Sequence, residues 1–159
     1  MSDMKIKTLA VTFAVWIAAG AICLAAASPQ MGTWKLNEAK SKIAPGTAKN
    51  TMVVYKSAMM GKVKVIVDGM DAEGKPAHNE WTGKFDGKDY PVTGDPASDM
   101  RSYKQIDDRT LEVTNKKDGK VTVTGRIVVS VDGKSRTLTL SGMTAKGKKF
   151  KNIAVYDKQ

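Results

Sequence analysis

The chain has 159 residues, a formal net charge of +10, one cysteine and one histidine. A single cysteine excludes an internal disulfide, and one histidine without cysteine partners gives no ligand spacing for a structural metal site. With 42% hydrophobic and 26% charged residues, the composition is that of a globular domain able to bury its own core.

The first segment differs from the rest. Lys5 and Lys7 precede an uncharged apolar run from Thr8 to Ala27, which closes on Leu24-Ala25-Ala26-Ala27-Ser28. A basic start, an apolar stretch and small residues at 25 and 27 fit a secretory signal peptide over 1–27. The run is also long enough to span a bilayer, so a retained, membrane-anchoring leader is the second reading. Cys23 follows Ile22, where a lipidation site calls for a small residue. Cleavage removes Asp3, Lys5 and Lys7, which takes the net charge from +10 to +9. It leaves one cysteine-free domain, 28–159, in the periplasm or outside the cell.

Beyond the leader, period-two alternation predicts strands at 32–37, 50–58, 62–70, 76–85, 88–93, 99–106, 110–116, 120–131, 136–143 and 149–157. Between the first two, Glu38 to Lys42 predicts a helical turn that Pro45-Gly46 ends. Val63, Val65 and Val67 share one face of the third strand. Trp81, Gly83 and Phe85 lie opposite Glu80, Thr82 and Lys84. In 99–106 the alternation is split, with Met100 and Ile106 on one face and Tyr103 on the other. Leu111 and Val113 alternate with threonines and Glu112. Val121, Val123, Ile127, Val129 and Val131 form the apolar face of the clearest strand, with Gly125 among them marking a bend. Leu138, Leu140 and Gly142 continue the pattern, and 149–157 shows no clear face.

Six Gly-Lys dipeptides punctuate these strands, at 61, 74, 87, 119, 133 and 147, and Asp precedes the glycine at 86, 118 and 132. Asp-Gly suits a tight hairpin turn, because the glycine accepts positive φ at no steric cost. Gly69-Met70-Asp71-Ala72-Glu73-Gly74-Lys75 and Gly142-Met143-Thr144-Ala145-Lys146-Gly147-Lys148 repeat one hairpin pattern. The expected fold is all-β: an antiparallel up-and-down meander of about 8–10 strands, closed into a barrel so that no edge is left unpaired.

Gly32-Thr33-Trp34-Lys35-Leu36 on the first strand, the meander, and the ending Val155-Tyr156-Asp157-Lys158 resemble the calycin superfamily: lipocalins and fatty-acid-binding-protein-like barrels. The chain also resembles a group of small secreted bacterial proteins that open with Gly-Thr-Trp-Lys-Leu-Asn. The resemblance implies a barrel plugged at one end by Trp34 and holding a small apolar or amphipathic ligand. Two features depart from the fatty-acid-binding pattern. Only about 13 residues, 37–49, separate the first two strands, too few for a helix–turn–helix lid. The inward Arg-x-Tyr pair reads Ala154-Val155-Tyr156, without the arginine; Arg101 and Arg126 are the candidate substitutes, and Arg126 alternates outward.

The chemistry-bearing residues are sparse. His78 alternates onto the face opposite Trp81 and reads as a surface histidine. Asp107-Asp108-Arg109 reads as a turn, and Asp68, Asp71 and Glu73 as solvated hairpin charges without calcium-loop spacing. No serine has a base beside it, and no glycine-rich loop opens a helix. No enzyme activity, cofactor or metal is expected. The methionines at 52, 59, 60, 70, 100 and 143 read as core filler and turn packing rather than a copper site. Twenty-two of the 26 basic residues are lysines, many at turns. They serve solubility and edge protection, or a weak, salt-sensitive attraction to anionic polymers and headgroups. Nucleic acid is not expected as a partner, because exposed aromatics do not interleave with these charges.

The expected function is binding of a small apolar or amphipathic ligand by a monomeric barrel, with Trp34, Asn79, Trp81, Phe85, Tyr103 and Tyr156 as candidate ligand-binding residues. The alternation leaves open whether the interior is a cavity or a packed core. The alternative function is an envelope interaction module or inhibitor that binds a protein or anionic polymer through its lysines.

Overall fold

The computed structural model describes residues 28–159; the expected leader, 1–27, lies outside the described residues. Ten antiparallel strands close into one barrel, each beside its sequence neighbours, with the first strand completing the ring against the last. In chain order they are β1 (Gly32–Leu36), β2 (Lys49–Ala58), β3 (Lys62–Met70), β4 (Pro76–Gly83) and β5 (Tyr90–Thr93). They continue with β6 (Met100–Asp107), β7 (Thr110–Lys117), β8 (Lys120–Val129), β9 (Ser135–Met143) and β10 (Lys149–Lys158). The expected barrel is thus present, with ten strands. No helix among the described residues is long and apolar enough to cross a membrane.

Closure rests on the register Trp34 to Lys158, Lys35 to Asp157 and Leu36 to Tyr156. The Asn37 side chain adds a 2.7 Å hydrogen bond to Asp157 Oδ2. After β1 a single 3-10 turn, Glu38–Lys40, is capped by the Asn37 side chain. The chain then pairs again with β10 through Lys42 and Ile153. No lid forms in this connection.

The six Gly-Lys glycines all adopt positive φ, from 67° to 79°. At the β7–β8 turn Asp118 (φ 49°) joins Gly119 (φ 76°), the two-residue hairpin that Asp-Gly predicts. The repeated hairpin pattern is one structure used twice. Asp71 N–H donates to Lys75 O, and Thr144 N–H to Lys148 O, each at 2.8 Å.

Three details differ from the sequence expectation. Gly87 does not turn a tight β4–β5 hairpin. Six residues separate those strands, and the Gly87 N–H donates to Tyr103 O of β6 at 2.9 Å. β5 consequently meets each neighbour over two residue pairs, whereas β2 and β3 share nine. Val121 is exposed, because a register shift sets Asn115 opposite Val123 but Lys116 opposite Val121, turning the valine off the inner face. Val131 is 88% exposed, carried out of line by the Ser130–Ser135 turn.

The split faces are resolved as well. On β6, Arg101 and Tyr103 point inward and Ile106 outward; on β10, Asn152, Ala154 and Tyr156 are the buried set. Four of the six methionines are not core filler: Met59 and Met60 are 86% and 83% exposed, and Met70 and Met143 also lie open, while Met52 and Met100 are half-buried. The core is built instead from Trp34, Trp81, Tyr55, Tyr103, Tyr156 and a belt of Val, Leu and Ile.

Candidate functional site: two buried arginines in the barrel

Strand direction sorts the connections onto two ends. The entry end carries residues 28–31 and the turns at 59–61, 84–89, 108–109 and 130–134. The far end carries 37–48, 71–75, 94–99, 118–119 and 144–148. Each end has one inward arginine on the second residue of a strand: Arg136 of β9 at the entry end and Arg101 of β6 at the far end.

At the entry end the barrel is plugged from below. Trp34 is fully buried and donates its indole N–H to Gln30 O at 2.8 Å, while Gln30 donates its amide to Arg109 O at 3.0 Å. Gly32 makes room here: with φ 113° it lies under the Lys158 chain, whose Cε would sit 3.0 Å from any added Cβ. Lys158 Nζ stands 5.0 Å from the Trp34 ring centroid and donates to Pro29 O.

Above this plug sits Arg136, 2% exposed. Its Cζ lies 4.8 Å from the Trp34 ring centroid, 4.7 Å from that of Tyr55 and 5.0 Å from that of Tyr156. Nε and Nη1 find no hydrogen-bond partner among the described residues, and no carboxylate there pairs with the side chain. Magnitudes show what the cage does and does not supply. Three desolvated cation–π contacts of up to about 2 kcal/mol each are comparable with the several kcal/mol that burying an ion costs, about the same order. They leave the N–H donors unmet, each costing about 1–3 kcal/mol. Nor do the phenols offer a counter-charge. Burial pushes Tyr156 up to about 12 against the pull of Arg136, and burial with the neighbouring Tyr55 raises Tyr103 further. Both rings therefore stay neutral at physiological pH. Tyr156 spends its hydroxyl proton on Asn50 O at 3.0 Å.

Next to the cage, the rings of Trp81, Phe85, Tyr90, Tyr103 and Tyr55 form one cluster. Trp81 meets Tyr103 edge-on at 4.7 Å and stacks on Phe85 at 6.4 Å, and Tyr55 links both to the Arg136 cage.

At the far end the arginine is satisfied, although Asp99 Oδ1 there is buried without a partner among the described residues. Arg101 is 6% exposed and every arm is used: Nε to Asn115 Oδ1 at 2.9 Å, Nη1 to Asn79 Oδ1 at 3.1 Å, Nη2 to Asp95 Oδ2 at 3.1 Å. Ser98 donates to the same Asp95 carboxylate. Arg101's own carbonyl accepts the Trp81 indole N–H at 2.8 Å. Between the two ends, Leu138 and Leu140 of the inward face are partly buried and pack against the core.

The six sequence candidates therefore separate. Trp34 and Tyr156 belong to the Arg136 cage; Trp81, Phe85 and Tyr103 belong to the aromatic cluster; Asn79 stands apart, bound to Arg101. Arg136 was missed, although one more step of the Leu138–Leu140 alternation reaches it. Tyr55, two residues from Val53 on the inner face of β2, was missed too. His78 lies outside, its side chain 56% exposed, with Nδ1 2.6 Å from Asp68 Oδ1. Arg126 faces outward onto Glu112, as its alternation predicts. Asp107 accepts from the Arg109 N–H at 2.9 Å, which makes 107–109 a turn. Two surface grooves, of about 360 and about 370 Å³, lie at the far rim over Val121 and Phe150 and on the outer wall over Gly125.

No protein-family model matches the chain, and no curated protein matches it. Among solved structures it is similar to a redesigned β-barrel, mFAP1, bound to DFHBI. The identity is 15%, the coverage 82% of this chain and 98% of that one, and the TM-score 0.43. It is similar also to a second redesigned β-barrel, b11L5F_LGL, with 14% identity, 83% and 93% coverage, and a TM-score of 0.43.

Proposed function

We propose that the protein is an exported, non-enzymatic barrel that binds a small amphipathic molecule, with the anionic end of the guest directed at Arg136. One observation carries this reading: a guanidinium inside the barrel whose Nε and Nη1 no described acceptor satisfies and which aromatic faces hold. A guanidinium is charged at any pH a folded protein meets. A carboxylate or similar anion would supply both the missing charge and the missing acceptors. Trp34, Tyr55 and Tyr156 would flank that head group. Leu138 and Leu140 would take the apolar remainder, where burial contributes about 25 cal/mol per Å2. Trp81, Phe85 and Tyr103 would form the adjoining wall, and Asn79 would act through Arg101 rather than on the guest.

The test uses the intrinsic fluorescence of Trp34 and Trp81 during titration with dodecanoate and with dodecanol. The expected result is saturable binding with dodecanoate at least about tenfold tighter, the value of one charge-assisted hydrogen bond of about 1.5–3 kcal/mol. The preference should vanish in Arg136→Met. Equal affinity for acid and alcohol, or binding of neither, contradicts the proposal. Mass measurement of the exported protein tests the leader: a chain starting near residue 28 is expected.

A further inference from the structure

The far rim carries a second feature, independent of the lumen. The β7–β8 and β9–β10 turns lie side by side there, and between them runs the groove of about 360 Å³ lined by Val121, Val123, Met143 and Phe150. Val121 and Met143 are 56% and 55% exposed, an apolar surface that no described residue covers. Lys117, Lys120, Lys146, Lys148, Lys149 and Lys151 frame it. None of the six appears in an ion pair among the described residues, whereas neighbouring Lys116 is held by Asp89 at 2.6 Å. Asp118 is the one carboxylate within these turns, and its backbone N–H is tied to Asp99. Lys117 and Lys120 stand directly opposite in register, a like-charge pair that works against the hairpin.

Six lysines outside any described ion pair, against the two carboxylates of Asp118 and Asp99, surround exposed valine and methionine side chains in a patch that is cationic at its border and apolar at its centre. A soluble polyanion would match the border but leave the centre in water. A bilayer with anionic headgroups matches both: phosphates meet the ammonium groups while Val121 and Met143 enter the headgroup–acyl boundary. We infer that the β7–β8/β9–β10 rim docks the barrel on an anionic lipid bilayer. The inference stands apart from the lumen reading, since none of its residues belongs to the Arg136 cage.

The experiment is co-sedimentation with vesicles of phosphatidylcholine alone, or with one third phosphatidylglycerol, at low and high salt. Three variants accompany the wild type: Lys148→Glu/Lys149→Glu, Val121→Ser/Met143→Ser, and Lys88→Glu/Lys134→Glu at the entry end as a matched charge control. All six positions are at exposed sites, so circular dichroism should show an unchanged fold. Expected is salt-sensitive binding to the phosphatidylglycerol vesicles only, weakened at least about tenfold by the rim lysine pair. The Val121/Met143 pair should weaken it severalfold, and the entry-end pair should leave it near the wild-type value. Three results overturn the inference: equal binding to neutral vesicles, equal losses from both lysine pairs, or no loss from Val121→Ser/Met143→Ser together with equal capture of polyphosphate.

Discussion

Arg101 and Arg136 are buried to nearly the same degree at opposite ends of one barrel, yet their surroundings differ in kind. Around Arg101 the chain provides a carboxylate and two amide oxygens, one acceptor for each arm. Around Arg136 it provides three aromatic faces and leaves Nε and Nη1 without an acceptor. A charge that matters to the fold is completed by the fold. A charge left incomplete costs stability, and such a cost is typical of groups kept for binding.

That contrast predicts different outcomes for the same substitution. Arg101→Met strands Asp95, whose side chain is 16% exposed, and empties the acceptors of Asn79 and Asn115. The loss should be about 3–5 kcal/mol in urea denaturation, as for one partner removed from a buried ion pair. A smaller effect is expected in the wall between the two ends. At Gly125 an added Cβ collides with the Leu140 side chain and sits 2.5 Å from Thr139 O, so Gly125→Ala should cost about 1–3 kcal/mol. Arg136→Met should be smaller still. An apolar chain of similar length in an aromatic cage is expected to leave stability within about 1 kcal/mol of the wild type or to raise it. If Arg136→Met proves as damaging as Arg101→Met, the contrast between the two ends fails.

The smallest effect lies outside the barrel. A hydrogen bond to Asp68, with the charges of Asp68 and Glu80 added, raises the His78 pKa above 6.5. A raised histidine pKa stabilises the fold below the unfolded value of about 6.5. That contribution fades as pH rises through the folded value. Asp68→Asn should move the His78 imidazole resonance titration back toward the ordinary value, with no change in ligand binding.

Much of the barrel was legible because its signals are local. Alternation and Gly-Lys spacing placed the strand limits within about two residues, and Trp81 fell on the face that alternation gave it. Trp34 and Tyr156 are inward as the resemblance implied, although 149–157 showed no clear face. What was missed depends on distant pairing. Gly87 turns toward Tyr103 on a strand that follows later, and the bulge opposite Asn115 flips Val121. Arg136 escaped because arginine at a strand end reads as a solvated charge. Its burial follows only when Trp34, Tyr55 and Tyr156 arrive from three other strand positions.

The most direct measurement follows the arginine side chains themselves. With arginine labelled with nitrogen-15, the Nε–Hε resonance of Arg136 is expected to shift on titration with dodecanoate, while that of Arg101, already bonded to Asn115, stays in place. An Arg136 signal that ignores the carboxylate while the barrel remains folded, or an equal shift at both arginines, would contradict the account.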